Sequence, residues 1–242
     1  MKTIRIKTRP ILPPQDSLYS IFESYLPPLE EGDILCITSK VLAIHQGRCI
    51  KISSKIQRED LVKREAEKWL KATHLPSYEF ILTIKKYALI QSAGVDESNG
   101  NGYYILLPTR IQKILKEIHA YLLKKHKIRS LGLIATDSHV LPMRWGTVGI
   151  SIGFYGFEPL QDYRGKKDIF GRKLKVTQKN IVDALAATAV FLMGEGSECV
   201  PLLILRGVAG IRFTRKDTYK KLVIPPKQDI YYPLLKSLKK PL

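Results

Sequence analysis

Apolar and polar residues alternate through residues 2–8, KTIRIKT, which is the period of a half-buried strand. Asp16 or Ser17 then offers a helix cap, and Leu18, Ile21, Phe22, Tyr25 and Leu26 recur at helical spacing until Pro27 and Pro28 stop them. Residues 33–38 and 41–44 read as strands, turning at Gln46 and Gly47 into a short return strand over 49–52. A charged amphipathic helix is predicted over 59–70, and strands near 79–84 and 87–92 follow it. The densest polar loop of the chain, 94–102, leads into a strand over 103–107. The clearest helix spans 109–125, where Ile111, Ile114, Leu115, Ile118, Tyr121 and Leu122 form one stripe. A buried strand over 131–135 stops at Thr136, Asp137 and Ser138, and a glycine-rich strand over 149–153 precedes the polar stretch QDYRGKKDIFGR. A second strong helix is predicted over 177–193; it breaks at Gly194 and Gly196 and feeds an apolar strand over 201–205.

Strands and helices interleave through the second half, so the fold class is α/β with α+β character, mixed sheets carrying flanking helices. One domain is expected over 1–225, open to division into two interlocked subdomains. The basic tail over 226–242 has no firm period.

Composition narrows the class. At 242 residues, 45% hydrophobic and 26% charged, the chain is long enough to bury a core unaided and too apolar for a disordered segment. No apolar run approaches the ~18 residues of a membrane span, and the basic start alternates where a signal peptide would be continuously apolar. Cys36, Cys49 and Cys199 include no CxxC pair, which argues against a disulfide framework or a zinc cluster. A cytoplasmic protein is expected.

The 40 Lys and Arg against 22 Asp and Glu, a net charge of +18, change the picture more, because such a surface attracts polyanions. Ten of the basic residues fall after Cys199, where Asp217 and Asp229 are the only acids. A solvated tail is the first reading of that run and a nucleic-acid arm the second. An anionic small-molecule substrate fits the charge equally well.

Familiar motifs are absent: no GxxxxGK[ST], no GxGxxG, no HExxH and no GxSxG. Two acidic loops remain. Asp137 stands where an apolar strand is predicted to stop, and Asp96 and Glu97 follow another strand with Ser98 and Asn99 beside them. Carboxylates, a hydroxyl and an amide are hard donors that suit Mg²⁺ or Mn²⁺. The same residues are favoured in turns for backbone reasons, and on spacing alone the turn reading stands ahead.

The string GVDESN at 94–99 is a hallmark of the coenzyme F420-0:γ-glutamyl ligase family, and the chain resembles that family over about residues 1–207. Further strings keep the family's order: GDILCITSK at 32–40, TDS with Pro142, Arg144 and Gly146, VGISIG at 148–153, DYRGKKDIFGRKL at 162–174, and VPLLILRG at 200–207. The resemblance implies a homodimeric α/β enzyme that uses GTP or ATP and divalent cations. It would activate an acceptor carboxylate as an acyl phosphate, which the amino group of L-glutamate then attacks. Such chemistry needs metal ions across phosphate oxygens and cations that hold anionic substrates in line.

Carried over by position, Asp96, Asp137 and Ser138 match the family's metal ligands, with Ser138 in place of a threonine. Mg²⁺ or Mn²⁺ is the expected ion, and K⁺ a further candidate. Ser39, Asn99 and the loop with Gly194, Glu195, Gly196 and Val200 match nucleotide contacts. Arg9, Pro10 and Ile11 match another by a looser alignment. Arg144 matches an arginine expected to bind phosphate or carboxylate, and Arg164, Asp168 and Arg172 match a polar stretch that reads equally as structural.

Several positions depart from the family. Its lysine after the serine pair is Ile44, with Lys40 nearby to supply the charge. A histidine-glycine is Lys86-Tyr87, a glycine-arginine is Val140-Leu141, and a tryptophan is Met143. The expected function is a γ-glutamyl ligase whose acceptor is tetrahydrofolate or F420-0, with the departures tilting toward folate. The competing readings are a non-catalytic nucleotide- or nucleic-acid-binding paralog and, third, a metal-dependent phosphohydrolase.

Overall fold

A computed structural model of the protein describes residues 1–71 and 81–238. Its elements in chain order are β1 (Lys2–Ile6), α1 (Leu18–Tyr25), β2 (Asp33–Thr38), α2 (Ser39–His45), β3 (Cys49–Lys51), α3 (Arg58–Glu65), β4 (Lys68–Lys71), β5 (Ile81–Lys85) and β6 (Ala88–Gln91). There follow β7 (Tyr103–Ile105), α4 (Ile111–His126), β8 (Leu131–Val140), β9 (Thr147–Tyr155), β10 (Leu160–Asp162), β11 (Gln178–Asn180), α5 (Ile181–Met193), β12 (Leu202–Arg206) and α6 (Tyr232–Leu235).

Five strands make the main sheet in the order β1-β12-β2-β8-β9, with β2 and β8 parallel and every other pair antiparallel. Successive side chains of a strand point to opposite faces, and here both faces are covered. Leu35, Ile37, Leu133 and Leu202 pack against Ile21 and Phe22 of α1 and Leu115 and Ile118 of α4. Ile34, Cys36, Ile134 and Leu203 pack against Val182, Ala186 and Ala189 of α5. Burial on both sides is why these strands read as unbroken apolar runs. Each wholly buried Leu or Ile contributes about 1.5–3 kcal/mol. Asp33, wholly buried at the start of β2, is paired with Arg206 at the end of β12 at 2.8 Å.

A smaller unit is built from α3, the sheet β4-β5-β6 and the pair β3-β7, around Leu61, Val62, Ile81, Val95 and Leu106. Mixed sheets with flanking helices agree with the expected fold class. No helix among the described residues is long and apolar enough to cross a membrane.

Several expected elements are corrected. Residues 41–44 are helical, not a strand. Val41 and Leu42 enter the main core while Ala43 and Ile44 enter a small cluster with Ile105. A helix buried on every side shows no polar face, so its period is invisible in sequence. The helix predicted over 59–70 ends at Glu65. Beyond it Lys68–Lys71 pairs with Ile81–Lys85, placing Trp69 opposite Thr83. The strand predicted over 131–135 runs on to Val140, because β9 supplies a ladder through the polar residues, with a register shift between Ala135 and Thr136. The helix predicted from 177 begins at Ile181, where the Asn180 side chain accepts from the Asp183 N–H; residues 178–180 pair with β10 instead. In the tail, a single 3₁₀ turn (Pro226–Gln228) and α6 form. Glu79 and Phe80, at the start of a predicted strand, and residues 239–242 lie outside the described residues.

Candidate active site

At the carboxyl end of the parallel pair β2 and β8 the protein encloses a cavity of about 730 Å³. The chain leaves β2 for α2 at Ser39, so β8 loses its parallel neighbour after Thr136 and continues against β9 alone. Asp137 and Ser138 stand where the two strands part, the place at which α/β sheets present ligand-binding groups. Ser39 and Lys40 open α2 on the other side of the split, and both line the cavity with Asp137.

The 94–102 loop forms a second wall. Ser92, Ala93 and Gly94 make a left-handed run with φ of 51, 51 and 69°, and the Ala93 N–H donates to Thr83 Oγ1 at 2.8 Å. Gly94 is required there, since a Cβ would lie 2.4 Å from the Leu107 side chain. The run delivers Asp96, whose backbone exchanges hydrogen bonds with Ile105 at 3.0 and 2.7 Å. Lys40 Nζ donates to Asp96 Oδ2 at 2.9 Å, to the Ser98 carbonyl at 2.8 Å and to Ser98 Oγ at 3.1 Å. Ser98 donates to the same carboxylate from its N–H and its hydroxyl, each at 2.8 Å.

The loop after α5 forms the third wall. Asn99 Nδ2 donates to the Gly196 carbonyl at 3.1 Å, tying the second wall to the third. Ser138 Oγ donates to Glu195 Oε1 at 2.5 Å. The Thr8 N–H donates to the Cys199 carbonyl at 2.9 Å, which draws Arg9, Pro10 and Ile11 to the cavity wall.

The two carboxylates titrate differently. Burial pushes Asp137 up to about 6, helped by the negative charge of Asp96 and opposed by the Ser138 N–H, Lys40 and Ser39. Burial also raises Asp96, but the Lys40 ammonium and the Ser98 hydrogen bonds outweigh it and hold Asp96 below the ordinary carboxylate range. Two mutually repelling carboxylates beside serine hydroxyls are a hard oxygen donor set, and they fit a divalent cation of the Mg²⁺ or Mn²⁺ kind. Among the described residues no three His, Cys, Asp or Glu side chains gather into a complete metal cage. A Mg²⁺ ion held by one or two carboxylates completes its shell with water and substrate phosphate, so the sparse set suits a metal–nucleotide complex.

Every residue carried over in the sequence analysis as a metal or nucleotide contact lines this one cavity: Asp96, Asp137 and Ser138; Ser39 and Asn99; Gly194, Glu195, Gly196 and Val200; Arg9, Pro10 and Ile11. Lys40 lines it too. Arg144 stands apart on the exposed turn between β8 and β9, where its Nη1 donates to the Met143 carbonyl at 3.1 Å. No described residue covers that turn, where Met143 and Trp145 are 94% and 102% exposed. Arg164 pairs with Asp162 at 2.6 Å on an exposed segment, and Asp168 accepts from the Phe170 and Arg172 N–H groups of its own turn. Of the departures from the family pattern, Ile44 lines the cavity, whereas Lys86, Tyr87, Val140, Leu141 and Met143 do not. Sequence reasoning missed Arg58 and Thr147, both of which line it. Arg58 is one basic residue among forty, and nothing in its spacing sets it apart.

Residues 5–207 match the family described as F420-0:Gamma-glutamyl ligase. The chain belongs to that family. Relatives named Coenzyme F420:L-glutamate ligase span most of its length. The protein of Methanopyrus kandleri is 31% identical over 96% of this chain and 98% of its own. Those of Methanococcus maripaludis and Methanocaldococcus jannaschii are each 33% identical over 84% of this chain and 86% of their own. For an F420-0:γ-glutamyl ligase family member the matched segment is the informative one, since it contains all three walls of the cavity and ends at β12.

Proposed function

We propose that the protein is a nucleotide- and divalent-metal-dependent γ-glutamyl ligase that joins L-glutamate to F420-0. The observation that carries this reading is the meeting of Lys40, Asp96 and Asp137 at one split between strands, in a chain whose residues 5–207 match the family. The names of the relatives favour F420-0 over tetrahydrofolate as the acceptor. The departures that favoured folate weigh less once most of them lie off the cavity.

In this reading the acceptor carboxylate attacks the terminal phosphorus of GTP or ATP, forming an acyl phosphate and releasing the nucleoside diphosphate. The glutamate amine then attacks the acyl carbon, the amide bond forms, inorganic phosphate leaves, and the amine gives up a proton. Asp96 and Asp137, with Ser138, would hold Mg²⁺ or Mn²⁺, which when bound neutralises charge on the transferring phosphoryl group. Lys40 is anchored on the carboxylate of Asp96 and so keeps its ammonium beside the phosphate oxygens. Asn99 holds the loop that carries Gly194, Glu195 and Gly196 closed against the nucleotide.

The test is phosphate release from GTP with Mn²⁺, offered F420-0 and tetrahydrofolate as separate acceptors. Release that needs both L-glutamate and F420-0 is the expected result. Release with tetrahydrofolate alone moves the acceptor. Release that ignores glutamate replaces the ligase with a phosphohydrolase.

A further inference from the structure

Three cationic side chains line the cavity among the described residues, and two of them are engaged. Arg9 grips Asp16 with both terminal nitrogens, at 2.5 and 2.9 Å. Lys40 is held by Asp96 and Ser98. Arg58, the first residue of α3, differs: among the described residues it makes one hydrogen bond, Nη2 to the Val95 carbonyl at 3.0 Å, and no ion pair. Glu59, next to it on the helix, is taken by Lys63 and Lys71. A guanidinium carries five N–H donors, so most of its hydrogen-bonding capacity stays open on the cavity side. It is half-buried, and a half-buried cation without a counter-charge is costly to keep in place.

We propose that Arg58 is the receptor for a substrate carboxylate, gripping its two oxygens with the edge of the guanidinium that Val95 leaves open. The proposal rests on the ligase reading, which brings two carboxylate substrates, glutamate and the acceptor, into the cavity. Planarity argues for carboxylate: the flat fork matches two coplanar oxygens, while the phosphate end of the cavity already has Lys40 and the paired acids. Val95 precedes Asp96, so the bond from Arg58 to its carbonyl also holds the receptor at a fixed offset from the split between strands.

The experiment compares the full chain with R58A and R58K in the phosphate-release assay, measuring KM separately for glutamate, F420-0 and nucleotide. R58A is expected to raise KM for one carboxylate substrate by about tenfold to a hundredfold, leaving the nucleotide KM unchanged and kcat within about threefold. R58K, which keeps the charge and loses the fork, is expected to recover only part of it. A rise for glutamate names the incoming amino acid as the ligand, and a rise for F420-0 names the acceptor. An unchanged KM for both, or a rise for nucleotide alone, overturns the proposal. So does an equal rise for all three with a lower thermal midpoint, since Arg58 would then merely brace Val95. A parallel measurement reads the shift of thermal midpoint produced by glutamate or by F420-0, which needs no turnover. Wild-type protein that is inactive in the assay overturns the ligase reading, and the shift still decides on Arg58: it must be present in the wild type and lost in R58A.

Discussion

Asp137 carries a charge that its surroundings do not favour. Its carboxyl is raised to about 6 by burial, so at pH 8 the ionised form costs stability that a neutral side chain would not. Asp137→Asn keeps an acceptor for the Ser138 N–H and removes the charge. The expected outcome is a thermal midpoint at pH 8 that rises while glutamate-dependent turnover falls about 10²-fold or more. A midpoint that falls with turnover would make Asp137 a structural group. At this scale the site was legible because family strings fixed which acids to follow, and GVDESN and TDS both end on the cavity wall. Arg58 was not, because its significance comes from what it lacks, a carboxylate partner, and a missing partner leaves no trace in sequence.

Two contacts carry the stability predictions at the scale of elements. Gly94 turns the chain with φ of 69° against Leu107. Gly94→Ala adds a methyl where a Cβ would meet that side chain at 2.4 Å, in a conformation that L-residues avoid. A loss of about 1–3 kcal/mol in denaturant unfolding is expected, together with weaker nucleotide binding as Asp96 shifts. Arg206 is the counter-charge of wholly buried Asp33, joining β12 to β2. Arg206→Ala leaves that carboxylate unpaired, and about 3–5 kcal/mol should be lost in the same measurement. Arg206→Ala close to wild type would mean that Asp33 finds water. The elements themselves were legible where one face is polar, as in α4, whose apolar stripe showed at once. They were misread where burial is two-sided, as at 41–44, or where a polar strand such as 136–140 is held by its ladder to β9 rather than by an apolar face.

Across the whole molecule, pH sets the stability in a window where few groups change. His119 and His126 are both held below the ordinary histidine value, chiefly by burial. Unfolded, each takes a proton near pH ~6.5; folded, each resists it. Their contribution is therefore present above that value and is lost as pH falls toward each folded value. Asp137 works in the opposite direction near pH 6, so the cleaner comparison uses Asp137→Asn. In that variant the thermal midpoint should drop as pH falls below about 6.5, and His119→Gln should flatten part of the drop. An unchanged slope would assign the pH dependence to other groups.

The short helix α2 has a consequence at this same scale. Its Val41 and Leu42 are counted in the large core, its Ala43 and Ile44 in the small cluster with Ile105, and its second residue is Lys40. A helix claimed by two apolar clusters cannot detach from either without exposing the other. Its amides should therefore rank among the slowest to exchange with solvent, and the two clusters should melt in one transition. The Lys40 ammonium would then ride on a fixed strut between two packed bodies, and entry to the cavity would have to rely on the glycine-rich turns around it rather than on α2.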